Sequence, residues 1–299
     1  MSEQTQILWT PAGVNLPSLG SRALVDVSDG DTPNIRMPIR MLYIDTPEVT
    51  ARSTERAAEI DNNFVELAEW IRSGVAPVEE AFGEYLVPKL ESGNAGTLHF
   101  SQGKHASEFH KDIVEKRLSR PGSERKRNLF IRGAESSFDG YGRLLAYVAP
   151  SYSKKERDEM SRRERATFNL DLIESGWAAP FIIFPNIPGE LDLPLFLEMA
   201  VGAMKEKRGQ YHDPLSLPGY EYRMCEKLYS ITKKLVDGES IPYREQLRWR
   251  SRYCADMRNR KLFDPEDYFE IPEPYRLWVW PDDVQRAISM LNLVPSSRH

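Results

Sequence analysis

Two β-prone runs, residues 23–27 and 35–44, are separated by Ser28-Asp29-Gly30-Asp31-Thr32, and Asp45-Thr46-Pro47 stops the second. Glycine and short acidic side chains at the join are turn chemistry, and proline cannot donate to a strand ladder. The pattern predicts two neighbouring strands with carboxylates at their ends. Arg40 lies five residues before Asp45, which a regular strand would place on the opposite face. A bend is therefore required, and Thr46-Pro47 is the expected place for it.

Helical spacing follows. Ile60, Phe64, Leu67 and Ile71 recur at intervals of four, three and four, with Gly74 closing the segment. A second helix is expected from Pro77 through Phe82 and Leu86, kinked or ended early by Pro88. Residues 97–100 read as a strand, and the charged stretch 103–127 as ending in a surface loop at Pro121-Gly122. Strands are predicted at 128–131 and 143–148, a short helix at 168–173, a buried strand or turn at 181–184, and a helix carrying Leu195, Met199 and Met204. Composition shifts after Pro214 and Pro218, which places a boundary near Leu215. Beyond it, helices are expected at 222–236, 243–257 and 284–291, and a buried strand at 275–281. Trp249, Tyr253, Trp278 and Trp280 read as core residues before base-stacking platforms.

The chain is 40% hydrophobic and 28% charged, a globular composition that excludes disorder and fibrous repeats. A net charge of -5 argues against coating nucleic acid with the whole surface, and leaves room for a local phosphate site. Basic clusters at 116–132, 154–165 and 244–261 read first as solvated faces. No run approaches the roughly 20 apolar residues of a spanning helix. The first eighteen residues lack the apolar core of a signal peptide. Cys225 and Cys254 are expected as reduced thiols, and the compartment as cytoplasmic. The five histidines form no zinc motif: His105 and His110 are five apart, and His99 reads as a strand residue.

Hydrolysing a phosphodiester requires a cation on the phosphoryl oxygens, positive groups for the developing charge, and a base that aims a water. Asp31 and Asp45 are hard oxygen ligands suited to calcium or magnesium. Glu48, just past the proline, is placed to act as the base, and Arg143 follows the tight turn Tyr141-Gly142. Each has an ordinary structural reading alone. The conjunction carries the chemistry.

Asp29-Gly30-Asp31-Thr32, then Arg40-Met41-Leu42-Tyr43-Ile44-Asp45-Thr46-Pro47-Glu48, then Asp139-Gly140-Tyr141-Gly142-Arg143 resembles the thermonuclease (staphylococcal nuclease) family in content, order and spacing. The resemblance implies an α+β fold built on an OB-fold, a five-stranded barrel with packed helices. It implies a domain over residues 1–214 with an insertion at about 50–130; the helical patterns beyond it make 215–299 a mainly helical extension. In the roles it assigns, Asp31, Asp45 and the Thr46 carbonyl hold one calcium ion, with magnesium as a poorer substitute. Arg40 and Arg143 clamp the phosphate, Glu48 is the general base, and Tyr141 lies near the bound phosphate. The implied activity is hydrolysis of DNA, RNA or both, leaving 3′-phosphate ends. Arg125, Lys126 and Arg127 are candidates for further backbone contacts. The other readings are a non-catalytic OB-fold binder, and a nuclease effector whose 215–299 segment docks a protein partner.

Overall fold

The computed structural model describes residues 21–296, so the reading of the first eighteen residues lies outside it. The chain opens with strands β1 (Ala23–Asp29), β2 (Thr32–Arg36), β3 (Ile39–Met41) and β4 (Tyr43–Asp45). Helices α1 (Thr54–Arg72), α2 (Glu80–Leu90) and α3 (Ala95–Leu118) follow, then strands β5 (Leu129–Phe138) and β6 (Leu144–Pro150). Next come α4 (Lys154–Glu159), α5 (Phe168–Glu174), β7 (Ala179–Ile183), α6 (Leu193–Lys205), α7 (Gly219–Val236) and α8 (Tyr243–Gln246). The last elements are β8 (Tyr253–Asp256), β9 (Lys261–Phe263), β10 (Arg276–Val279), α9 (Val284–Leu291) and β11 (Val294–Pro295).

The α+β class holds. The described strands form three sheets, β1-β2, β3-β6-β5 and β11-β9-β8-β10-β7-β4, and none closes into a barrel. The five-stranded barrel is not among them because β4 pairs with β7, and β7 pairs in turn with β10. The chain divides into two compact units, Met1–Arg40 with Arg132–Ala146, and Met41–Ile131 with Tyr147–His299.

In the first unit β1 and β2 form an antiparallel hairpin whose register shifts twice, and every residue of both strands is exposed. The Asp29–Thr32 turn joins them, as the acidic glycine turn predicts. A second tight turn, Asp139 to Arg143, is closed by the Asp139 carboxylate, whose Oδ1 accepts the N–H groups of Tyr141 and Arg143 at 2.9 Å each.

In the second unit the six-stranded sheet separates two cores, and strand period sorts the side chains. Phe181 and Trp278 face a core with Phe64, Leu67, Phe82, Leu86, Tyr220 and Leu228, built from α1, α2 and α7. Ile182, Leu277 and Val279 face the other core, with Ile173 and Phe196 from α5 and α6. The segment from Leu215 onward does not stand apart: it contributes four of the six strands and much of the first core. Its expected mainly helical character gives way to a mixed one. Residues 243–257 form one turn of helix and then β8, because Cys254 and Ala255 are buried in the sheet.

The strand expected at 97–100 and the loop after it are instead α3, whose buried residues His99, Phe100, Gln102, Gly103 and Ala106 recur at helical spacing. Pro88 lies inside α2, which ends two residues later at Leu90. Trp249 and Trp278 are core residues, whereas Trp280 is 41% exposed. Cys225 and Cys254 are buried free thiols. No helix among the described residues is long and apolar enough to cross a membrane.

Candidate active site

The bend ahead of Asp45 falls at Leu42-Tyr43, where Tyr43 has φ +66°, and not at Thr46-Pro47 as expected. Register pairing of Asp45 with Ala179 then sets the carboxylate at the end of β4. Two helices approach the Asp45-Thr46-Pro47-Glu48 loop through glycine. A Cβ on Gly219, the first residue of α7, would lie 2.6 Å from Asp45 Oδ2 and 2.8 Å from the Thr46 carbonyl oxygen. A Cβ on Gly103 of α3 would lie 2.7 Å from the Glu48 carbonyl oxygen. No other residue type fits either contact without displacing the loop.

His99 of α3 pins the loop backbone. Its Nε2 accepts the Glu48 N–H at 2.9 Å, and its Nδ1 lies 3.1 Å from the Leu217 carbonyl oxygen. A carbonyl only accepts, so the proton sits on Nδ1 and the ring is neutral. The ring stacks on Tyr222 at 3.8 Å between centroids, and burial pushes its pKa down to about 4. A depressed folded-state pKa contributes stability that is present above pH 6.5 and lost as pH falls toward 4. About 3 kcal/mol should be lost over that interval, and His99→Phe should remove that slope. Urea unfolding of both proteins at pH 7 and pH 4.5 checks this, and equal pH slopes would refute it.

Arg223 of α7 bridges the two acidic side chains of the loop. Its Nη2 donates to Asp45 Oδ2 at 2.8 Å, and its Nη1 donates to Glu48 Oε1. Asp45 is completely buried, whereas the Arg223 side chain is 33% exposed. Glu48 Oε2 lies 3.5 Å from the Thr50 hydroxyl. It borders an open cleft of about 280 Å³ lined by Glu48, Thr50, Arg56, Arg223 and Glu226. Burial, and next the charge of Glu48, raise the Glu226 carboxyl above its usual range. Nearby, Arg252 lies over the rings of Phe181, Trp280 and Trp278 at 4.9, 5.2 and 5.4 Å. Burial and then the Arg223 charge push it down to about 10.

Of the residues singled out from sequence, Asp45, Thr46 and Glu48 are brought together in the second unit. The first unit holds Asp31, Arg40, Tyr141 and Arg143. There Asp31 Oδ1 accepts the Thr32 hydroxyl at 3.1 Å. Arg143 is fixed by its Nε on Asp139 Oδ2 at 2.7 Å and lies over the Tyr141 ring at 5.3 Å. The tight turn thus sets the guanidinium in place within its unit, as expected. Arg40 is partly buried in β3. Lys126 pairs with Glu115, and Arg127 pairs with Glu156 at 2.6 Å, holding that carboxyl down to about 2. A phosphate would have to compete with those carboxylates; Arg125 is exposed.

Arg223, His99, Gly103, Gly219 and Glu226 carry no motif and escape sequence reasoning. Arg223 meets Glu48 across 175 residues of chain. Among the described residues no group of three or more His, Cys, Asp or Glu side chains forms a metal nest. What the loop offers is two carboxylates converging on one positive group, with the Thr46 carbonyl beside them. Carboxylate and carbonyl oxygens are the donor types a hard cation takes; in this structure the positive group that the two carboxylates meet is the Arg223 guanidinium. In comparison with known proteins, the chain matches no family model and no curated protein.

Proposed function

We propose that the chain is a calcium-dependent phosphodiesterase of the thermonuclease type, cutting DNA, RNA or both and leaving 3′-phosphate ends. The observation that carries the reading is the convergence of the Asp45 and Glu48 carboxylates on one cationic centre beside an open cleft. A bound calcium ion would supply polarisation of the phosphoryl oxygens. Asp45 and the Thr46 carbonyl would hold it, and Glu48 would orient the attacking water through Oε2, the oxygen that Arg223 leaves open. Substrate enters the cleft past Thr50 and Arg56. The roles of Asp31, Arg40, Tyr141 and Arg143 rest on the motif that assigns them.

Incubation with single-stranded DNA, double-stranded DNA and RNA, each in calcium, magnesium or chelator, tests it directly. Cleavage in calcium, weaker cleavage in magnesium and none in chelator is the expected pattern. Intact substrates in every calcium reaction, with the protein folded, would remove the enzymatic reading.

A further inference from the structure

The two acidic side chains come from the loop that closes β4, yet the charge they meet comes from α7, a helix of the C-terminal segment. The three groups differ in freedom. Asp45 is completely buried and held at the end of a strand, so its carboxylate cannot turn elsewhere. Arg223 is one-third exposed, at 33%, and lines the cleft, so its long side chain has a way out. The helix that delivers it is itself anchored. Tyr220, Tyr222 and Leu228 of α7 are buried in the core, and Gly219 closes to within contact of Asp45.

Asp45 Oδ2, which the guanidinium occupies, is an oxygen on which a hard cation would draw, and the same guanidinium holds Glu48 Oε1, the carboxylate assigned to the attacking water. Two positive groups cannot hold one carboxylate pair at full strength, because like charges repel strongly in a half-buried site. Arg252 adds a further positive charge to the same corner. Resting on the calcium-dependent reading above, we propose that Arg223 is a resident counterion of the site: it neutralises Asp45 and Glu48 until a divalent cation displaces it, and so sets the affinity for that cation. Once displaced, the guanidinium faces the cleft together with Arg56, where the next anion it meets is a substrate phosphate. The C-terminal segment thereby acquires a role. Through α7 it determines the calcium concentration at which the site loads.

The test measures calcium binding without nucleic acid. Calcium is titrated calorimetrically into the full chain of the parent, Arg223→Gln, Arg223→Met and Asp45→Asn, with circular dichroism used to select folded samples. Removing the competing charge should tighten calcium binding at least about tenfold in both Arg223 variants. Asp45→Asn should abolish it. Unchanged or weaker binding in the Arg223 variants, with binding still lost in Asp45→Asn, overturns the counterion role and leaves the calcium site standing. No calcium binding by the parent or either Arg223 variant removes the calcium reading, and the counterion role with it. The two Arg223 replacements differ in polarity, so the comparison survives if one of them misfolds.

Discussion

Glu48→Gln is expected to slow phosphodiester hydrolysis by about 10²- to 10⁴-fold, the usual contribution of a positioned general base, while leaving the fold intact. The amide has the shape of the carboxylate, and its oxygen can still accept from Arg223 Nη1. The backbone N–H of residue 48 keeps its bond to His99 Nε2 at 2.9 Å, so the loop stays in place. What disappears is the negative charge and the basic lone pair that would draw a proton from water. Initial rates on a short labelled oligonucleotide, at saturating substrate, separate this from a binding defect: kcat should fall with KM little changed. A variant that turns over as fast as the parent would take the base role away from Glu48.

The loop that carries Glu48 is unusually legible in the sequence. Asp45-Thr46-Pro47-Glu48 reads from sequence as an acidic strand end because proline stops pairing and carboxylates collect there. The structure does set Asp45 at the end of β4. Local chemistry was likewise enough for the Asp29–Thr32 turn and for the Asp139–Arg143 turn, where glycine and a short carboxylate decide the backbone within five residues. Long-range pairing was not legible. Helix α3 reads as strand and loop because Thr97-Leu98-His99-Phe100 is a short apolar run, and such runs do not declare their period. Only its contacts with α1, α5 and the β4 loop make it a helix with His99 facing inward. The boundary expected near Leu215 comes from the same kind of local reading. Proline at 214 and 218 reads as a linker, but Leu217 and Tyr220 beside them are buried in the core shared with α1 and α2.

Arg223, which belongs to no motif, is invisible on the same physical ground. An arginine near the start of an amphipathic helix is an ordinary solvated residue until the partner it meets is known. What distinguishes it is the convergence of two carboxylates placed by a strand end and a proline turn 178 and 175 residues earlier. The acidic half of this arrangement is legible in the motif, whose positive half falls on Arg40 and Arg143. Within the second unit the positive group that meets the acidic pair is Arg223, on an element that the family resemblance does not cover.

Glu221→Ala, two residues before Arg223, should destabilise the second unit by about 3–5 kcal/mol, the cost of removing one partner from a buried ion pair. Glu221 is completely buried and accepts from Lys89 Nζ and from the Tyr85 hydroxyl, each at 2.7 Å, with Arg276 Nη1 at 3.7 Å. It therefore ties α2 of the inserted region and β10 of the C-terminal segment to α7. Truncation leaves the largely buried Lys89 and Arg276 cations with their shared counterion gone. Glu221→Gln should cost less than alanine, because the amide can still accept from Tyr85. Urea unfolding followed by tryptophan fluorescence reads the difference, since Trp249 and Trp278 both lie in the affected core. A loss below about 1 kcal/mol would mean that the network is effectively solvated, as exposed pairs are. The outcome bears on the site as well. The helix held by Glu221 is the one that presents Gly219 to Asp45 and Arg223 to both carboxylates. Without that clamp, α7 is held by its buried Tyr220, Tyr222 and Leu228, and the turn that carries Gly219 and Arg223 loses its polar anchor.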